Sequence, residues 1–141
     1  MTEPLEQFKT VLKSSACSLT KTRRLVFAAL QDKEPQTMHE IVAACRGQAD
    51  RASVYRTISL FEKLGIVQRL QIGWKYKLEL SDRFRHHHHH LTCLNCGSVI
   101  PFDESLALES GLRRLADAKK FEMQSHQLEI QGLCHNCRSA I

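Results

Sequence analysis

The sequence contains no apolar run of the roughly 20 residues that a membrane-spanning helix needs. Its first residues, MTEPLEQFK, have neither the basic segment nor the apolar segment of a signal peptide. We therefore expect a cytoplasmic protein with no membrane partner. The sequence has no Rossmann or P-loop signature, and its histidines have no nucleophile partner, so we expect no small-molecule substrate and no enzyme activity.

A length of 141 residues with 43% hydrophobic content is enough for one ordinary domain or two small ones. Positive charge is concentrated in the first part of the chain: residues 1–85 contain 15 Lys and Arg against 9 Asp and Glu, whereas residues 86–141 contain 5 against 6. The first part could therefore meet a polyanion such as nucleic acid, and the second could not do so by charge alone.

The first part of the chain shows helical spacing of apolar residues up to Leu64 and period-two alternation after it. Thr20, Thr37 and Asp50 each precede a predicted helix as caps. Gly73 divides the alternating segment into a hairpin, whose second strand is predicted to begin at Trp74. Helices followed by a hairpin predict a winged helix-turn-helix over residues 1–82.

Residues 83–141 predict a second, smaller domain of mixed helix and strand. The pattern indicates strands near residues 87–92 and 98–102, a helix containing Leu112, and a last strand over residues 121–131. The fold class is therefore α+β, with a winged helix-turn-helix followed by a small α/β domain.

Four cysteines of this second domain form two Cys-x-x-Cys pairs, Cys93 with Cys96 and Cys134 with Cys137. Two such turns can complete the tetrahedral thiolate site that structural Zn²⁺ prefers. Redox-active dithiols are the alternative, although no thioredoxin-like context surrounds either pair. We interpret the other two cysteines, Cys17 and Cys45, as small buried hydrophobic residues.

Five consecutive histidines, His86 to His90, stand three residues before the first cysteine pair. Side chains alternate between the two faces of a strand, so His88 and His90 face one way and His87 and His89 the other. One strand could therefore contribute ligands to two separate metal sites. Imidazole suits Zn²⁺, Fe²⁺, Ni²⁺ and Cu²⁺, and further candidate ligands are Glu79, Glu109 and His126.

The fourth predicted helix carries polar and basic residues away from its apolar face. Arginine can reach guanine edges or phosphates and tyrosine can contact a thymine methyl group, so this helix is a candidate recognition helix for double-stranded DNA. Its candidate residues are Ser53, Tyr55 and Arg56. The basic residues of the hairpin, Arg69, Lys75 and Lys77, are candidate phosphate contacts.

Taken together, the segments Leu19–Arg23, Ala52–Arg56, His86–Gly97 and His126–Cys137 resemble the ferric uptake regulator family in order and spacing. The resemblance covers essentially the whole chain. It implies a homodimeric, metal-dependent repressor that binds an operator and controls metal uptake and homeostasis genes. In the mechanism that it implies, the bound metal fixes the two DNA-binding domains at the spacing of the operator's half-sites.

The family pattern also implies a role for individual residues. A structural zinc site corresponds to Cys93, Cys96, Cys134 and Cys137, and a regulatory site for a second divalent metal, Zn²⁺ or Fe²⁺, corresponds to Glu79, His88 and His90. An additional site in the dimerisation domain corresponds to His87, His89, Glu109 and His126, and the DNA contacts correspond to Thr20, Arg23, Ser53, Tyr55 and Arg56.

Two positions depart from the pattern of iron sensors: Pro35 stands where they have a histidine, and Pro101 where they have an acidic residue. No cysteine lies near Glu79, where many zinc sensors have one, so the sequence leaves zinc and iron open. Two alternatives to a metal-dependent repressor remain. One is a peroxide sensor of the same family, and the other is a metalloenzyme that uses the His and Glu cluster to activate water.

Overall fold

A computed structural model describes residues 3–139 and separates the chain into two compact units, divided between His86 and His87. The short segment 83–86, which the predicted boundary gives to the second domain, belongs to the first unit. There the buried ring of Phe84 meets the ring of Phe27 edge-on, with 5.4 Å between the centroids. No helix within residues 3–139 is long and apolar enough to cross a membrane.

The first unit consists of four helices followed by a two-stranded antiparallel hairpin. This order confirms the predicted winged helix-turn-helix, with the hairpin as its wing. The elements are α1 (Pro4–Ser14), α2 (Lys21–Leu30), α3 (Met38–Ala44), α4 (Arg51–Lys63), β1 (Val67–Ile72) and β2 (Lys75–Leu80).

Three of these helices begin where the sequence places a capping side chain. Thr20, Thr37 and Asp50 each accept a hydrogen bond from the backbone N–H three residues later, which satisfies a donor that the helix itself leaves without a partner. The hydrogen bonds from Ser53 also lower the pKa of Asp50. The helix boundaries of this unit are therefore determined locally.

Stacked aromatic rings form the centre of the first unit. The ring of Phe8 from α1 stacks on Phe27 from α2 at 4.2 Å between centroids, and Phe61 from α4 meets Phe8 edge-on at 5.4 Å. Leu78 and Leu80 of the hairpin complete this core. Helices α2 and α4 are thereby held against one another, with their outer faces left to solvent.

The second unit contains a three-stranded sheet and two helices: β3 (His88–Cys93), β4 (Val99–Asp103), α5 (Leu106–Ala118), β5 (Glu129–Gly132) and α6 (His135–Ser139). Strand β3 lies in the middle, antiparallel to β4 and parallel to β5. The predicted strand over 121–131 is wrong for most of its length, because within the described residues only 129–132 pair with β3. Period-two alternation does not by itself supply a neighbouring strand to accept the backbone hydrogen bonds.

The core of the second unit is thin. Among its described residues the buried apolar side chains are those of Cys93 and Ala116, and most of the other buried side chains are histidines of β3. Leu91, Ile100 and Ile130, one from each strand, are about half exposed and lie side by side in the sheet. A unit with so little buried apolar surface needs additional cross-links or a covering partner to be stable.

Candidate metal centres and nucleic-acid interface

The four cysteines of the two Cys-x-x-Cys pairs come together at one end of the sheet. Cys93 ends β3 and Cys96 lies in the turn that follows it. Cys134 directly precedes α6, and Cys137 lies within that helix. Their four sulfur atoms are all within 4.8 Å of one another. A pair of independent redox dithiols would not need this convergence, so the arrangement favours a single four-sulfur metal site.

Hydrogen bonds prepare some of these sulfurs to bind a cation. The backbone N–H groups of Cys96 and Cys134 lower the pKa of the Cys93 thiol to about 6. The Asn95 amide donates to the sulfur of Cys137 at 3.3 Å and favours its thiolate, but hydrogen bonds shared with the neighbouring thiols and burial outweigh it and raise the pKa of Cys137 to about 11. Four thiols this close cannot all lose their protons without a bound positive charge.

This donor set fits Zn²⁺, which binds four thiolates tetrahedrally in structural sites. Because the ligands lie at the end of β3 and around α6, an ion held there would cross-link the two ends of the second unit. It would supply stability that the thin core of that unit does not.

A second cluster joins β3, α5 and the segment before β5 through one carboxylate. The Nε2 atoms of His87 and His89 lie 3.2 Å and 2.5 Å from Oε1 of Glu109, and Nε2 of His126 lies 2.7 Å from its Oε2. All four ligand atoms lie within 4.8 Å of one another. The structure therefore brings together the four residues predicted for the additional site. It places His126 before β5 rather than within a long last strand.

Burial and histidine contacts act in opposite directions on Glu109. Burial raises the pKa of its carboxyl group, but the hydrogen bond with His89 and the nearby His126 and His87 outweigh that effect and lower the pKa. The carboxylate is thus ionised between three imidazoles, and three nitrogens with one carboxylate oxygen suit Zn²⁺ and first-row divalent metals in general. Nδ1 of His89 is buried with no hydrogen-bond partner in the described part of the chain.

The histidines of β3, together with His87 directly before it, divide between two faces, as the alternation predicts. The rings of His88 and His90 meet at 4.6 Å, and those of His87 and His89 meet separately at 4.7 Å. In the first unit, the buried carboxylate of Glu79 accepts hydrogen bonds from the side chains of Gln68 at 2.7 Å and Arg85 at 3.0 Å. The Arg85 guanidinium supplies the positive charge that such a buried carboxylate requires.

The candidate DNA contacts lie on the exposed face of the helix-turn-helix. Thr20, Arg23, Ser53 and Arg56 line one open groove between the start of α2 and α4. The Arg56 guanidinium donates to the Ser53 hydroxyl at 3.1 Å, so it lies along the outer face of α4. Tyr55 does not line this groove, but its side chain is 39% exposed on the neighbouring part of the same helix.

Three further residues of this face were not predicted as contacts from the sequence. Thr22 and Thr57 also line the groove, and the guanidinium of Arg51 lies 5.3 Å from the centre of the Tyr55 ring, where a cation–π contact orients the phenol. Arg51 could have been identified from the sequence, because it stands four residues before Tyr55 on the same helix and so faces it.

One basic residue of the wing is already engaged within the protein. The Arg69 guanidinium donates to both carboxylate oxygens of Glu62, at 2.7 Å and 3.1 Å, and lies 4.1 Å from the centre of the Tyr76 ring. These hydrogen bonds raise its pKa further. Arg69 is therefore a poorer candidate for a phosphate contact than the exposed Lys75.

Comparisons with known proteins agree with this geometry. The model of the ferric uptake regulator family matches residues 14–131. The ferric uptake regulation protein of Bacillus subtilis is 30% identical over 97% of this chain and 96% of its own length.

Two solved structures extend the similarity. The Vibrio cholerae ferric uptake regulator superposes with a TM-score of 0.73 at 30% identity, over 89% of this chain and 98% of that one. A zinc-bound manganese uptake regulator superposes with a TM-score of 0.63 at 27% identity, over 89% and 97%.

Proposed function

This chain belongs to the ferric uptake regulator family, and we propose that it is a homodimeric repressor. It binds an operator when it is loaded with a divalent metal, and it thereby controls metal uptake and homeostasis genes. Members of the family are metal-responsive transcriptional regulators rather than enzymes, which removes the metalloenzyme alternative. One observation carries the proposal: a chain with a winged helix also holds two clusters of four metal-binding side chains.

For the metals, we assign a structural Zn²⁺ to Cys93, Cys96, Cys134 and Cys137. A second divalent metal, Zn²⁺ or Fe²⁺, belongs to the regulatory site, and the additional site can hold a further cation. Four thiolates supply the soft ligands that zinc prefers. When bound, a cation at His87, His89, Glu109 and His126 neutralises the Glu109 carboxylate and cross-links β3 to α5 and to the segment before β5.

We further assign Glu79, His88 and His90 as ligands of the sensed metal. Support comes from the family pattern and from each unit separately. His88 and His90 present adjacent rings on the face of β3 that His87 and His89 do not use. Glu79 is a buried carboxylate that hydrogen bonds from Gln68 and Arg85 hold in one orientation. A metal that binds one arrangement of the ligands better than others shifts the population toward that arrangement, which is how metal would control DNA binding.

The sheet of the second unit supports a homodimer. Leu91 is paired with Ile100 on one side and Ile130 on the other, and all three side chains are about half exposed. A row of neighbouring exposed apolar side chains is typical of a protein–protein interface. A second copy of the chain, related by a two-fold axis, would present two recognition helices to two half-sites of a palindromic operator.

For DNA, we assign α4 to the major groove, with Tyr55 and Arg56 reading base edges and Thr20, Arg23 and Ser53 contacting phosphates. The open groove between α2 and α4 and the net positive charge of residues 1–85 support this assignment. A protein that binds chromosomal operators acts in the cytoplasm, and we place this one there.

Metal analysis combined with DNA titration tests the proposal. Protein purified without chelator should contain zinc that resists dialysis together with metal that exchanges. Fluorescence anisotropy on a palindromic operator duplex should show tight binding with one or more of Zn²⁺, Fe²⁺ and Mn²⁺, and weak binding with chelator. Equal affinity with every metal and with chelator would exclude a metal-dependent repressor.

A further inference from the structure

The tip of the wing carries the single tryptophan of the chain. Gly73 and Trp74 form the turn that joins β1 to β2, and Trp74 is 91% exposed. Gly73 has a φ of +62°, which glycine adopts without strain and which a two-residue hairpin turn requires at its first position. The Gln71 side chain donates to the Gly73 carbonyl at 3.0 Å, so the turn is held in place.

The exposed ring contributes nothing to the core of the first unit. The alternation in the sequence places Trp74 on the same strand face as Tyr76, Leu78 and Leu80, and the structure instead places it in the turn. Among residues 3–86, the exposed large hydrophobic side chains are Tyr55 and Trp74. One lies on the recognition helix and the other on the wing, the two elements that a winged helix presents to DNA.

The surroundings of Trp74 are basic. Lys75, the next residue, is exposed at the start of β2, and residues 1–85 carry 15 Lys and Arg against 9 Asp and Glu. An apolar ring beside an ammonium group at the end of a hairpin is complementary to the backbone of a DNA duplex. The phosphates attract the ammonium group, and the sugars offer an apolar surface to the ring.

We infer that Trp74 is a DNA contact of the wing tip, its ring packing on the deoxyribose sugars of the operator beside the groove that α4 enters. This inference rests on the proposed DNA-binding function and adds to it a residue that neither the sequence pattern nor the helix-turn-helix itself identifies.

Because the chain has a single tryptophan, its fluorescence reports on this residue alone. Emission and acrylamide quenching are measured for the metal-loaded protein with and without the palindromic duplex. We expect the duplex to change the emission and to reduce acrylamide quenching severalfold. Anionic phospholipid vesicles, added at the same charge concentration, should leave both unchanged.

Two variants provide the affinity readout. Trp74→Ala should weaken duplex binding about tenfold, the effect of leaving roughly 60 Å² of apolar surface unburied. Trp74→Phe, which keeps an aromatic ring, should bind within about threefold of the parent. Since Trp74 is almost fully exposed, both variants should keep the parent's thermal midpoint and metal content.

The outcomes separate this inference from the proposed function. If the parent binds the duplex but its quenching does not change, or if Trp74→Ala binds as the parent does, the wing-tip contact is wrong and the repressor function stands. A protection from quenching by vesicles equal to that by DNA would also overturn the contact. If the parent binds no duplex with any metal, the proposed function itself fails.

Discussion

Nε2 of His126 lies 2.7 Å from Oε2 of Glu109, and this contact fastens the segment before β5 to helix α5. The two residues stand 17 positions apart in the sequence, and neither lies near His87 or His89 in the chain, where His89 is on β3 and His87 directly precedes it. The carboxylate uses its other oxygen for those two histidines. A single side chain thus connects three segments of the second unit.

Glu109→Gln should remove the metal from this cluster, because the variant lacks the charge that balances a cation between three imidazoles. Metal content measured by mass spectrometry should fall by about one ion per chain, with the four-cysteine zinc retained. Glu104→Gln, at an exposed position outside the cluster, is the matched control and should keep the parent's content. An unchanged content in Glu109→Gln would contradict the assignment.

Cys137→Ser should lose the tightly bound zinc and destabilise the second unit, since zinc binding contributes directly to folding and the apolar core there is thin. Zinc content, thermal denaturation and the sedimentation coefficient are the measurements. Cys17→Ser, which changes a half-buried cysteine outside the cluster, should leave the zinc in place. A Cys137→Ser protein that kept its dimer and its thermal midpoint without zinc would show that the site is not structural.

The two faces of β3 should be separable by mutation. Replacing His88 and His90 with alanine should abolish metal-dependent DNA binding and leave the structural zinc in place, because the cysteine cluster does not use these rings. Replacing His87 and His89 should weaken the metal response more mildly. Anisotropy titrations with metal and with chelator compare the two double variants, and equal losses would mean that the strand does not serve two different sites.

Arg56→Ala should cost about 1–3 kcal/mol on a specific operator and little on a scrambled duplex, because a base contact carries sequence information. Tyr55→Phe, which keeps the ring, should cost less. Metal content and dimerisation should be unchanged in both variants, since neither residue belongs to a metal cluster. If Arg56→Ala bound both duplexes as the parent does, α4 would not be the recognition helix.

Two basic residues of the wing, Lys75 and Arg69, should behave differently. Lys75→Ala should weaken binding to specific and random duplexes alike. It should also reduce the slope of log affinity against log salt concentration by about the contribution of one phosphate contact. Arg69→Ala should leave the salt dependence close to the parent's and reduce stability by at most about 1 kcal/mol, because its guanidinium is paired with Glu62 in a partly exposed salt bridge. Urea denaturation measures the stability, and salt titrations of DNA binding measure the slope. If Arg69→Ala reduced the slope as much as Lys75→Ala does, Arg69 would be a phosphate contact and not only the partner of Glu62.

Local patterns predicted the elements of the first unit well. Caps such as Thr20 and Asp50 act on the backbone three residues away, so the sequence contains both partners of each interaction. Period-two alternation was wrong where it predicted a strand over residues 121–131 and where it placed Trp74 in a strand rather than in the turn. Whether an alternating segment becomes a strand depends on a neighbouring strand, and where a hairpin turns depends on which residues pair across it.

The sequence by itself determined the four-cysteine donor set, the division of the histidines between two faces of β3 and the basic character of the first unit, because spacing and strand alternation act over a few residues. Only the tertiary structure decided that the single carboxylate of Glu109 contacts all three imidazoles of its predicted site, that Arg69 is neutralised by Glu62, and that Trp74 stands exposed at the wing tip. These contacts join segments that are distant in the chain or depend on strand register, and packing of the whole unit, rather than any local preference, brings their atoms together.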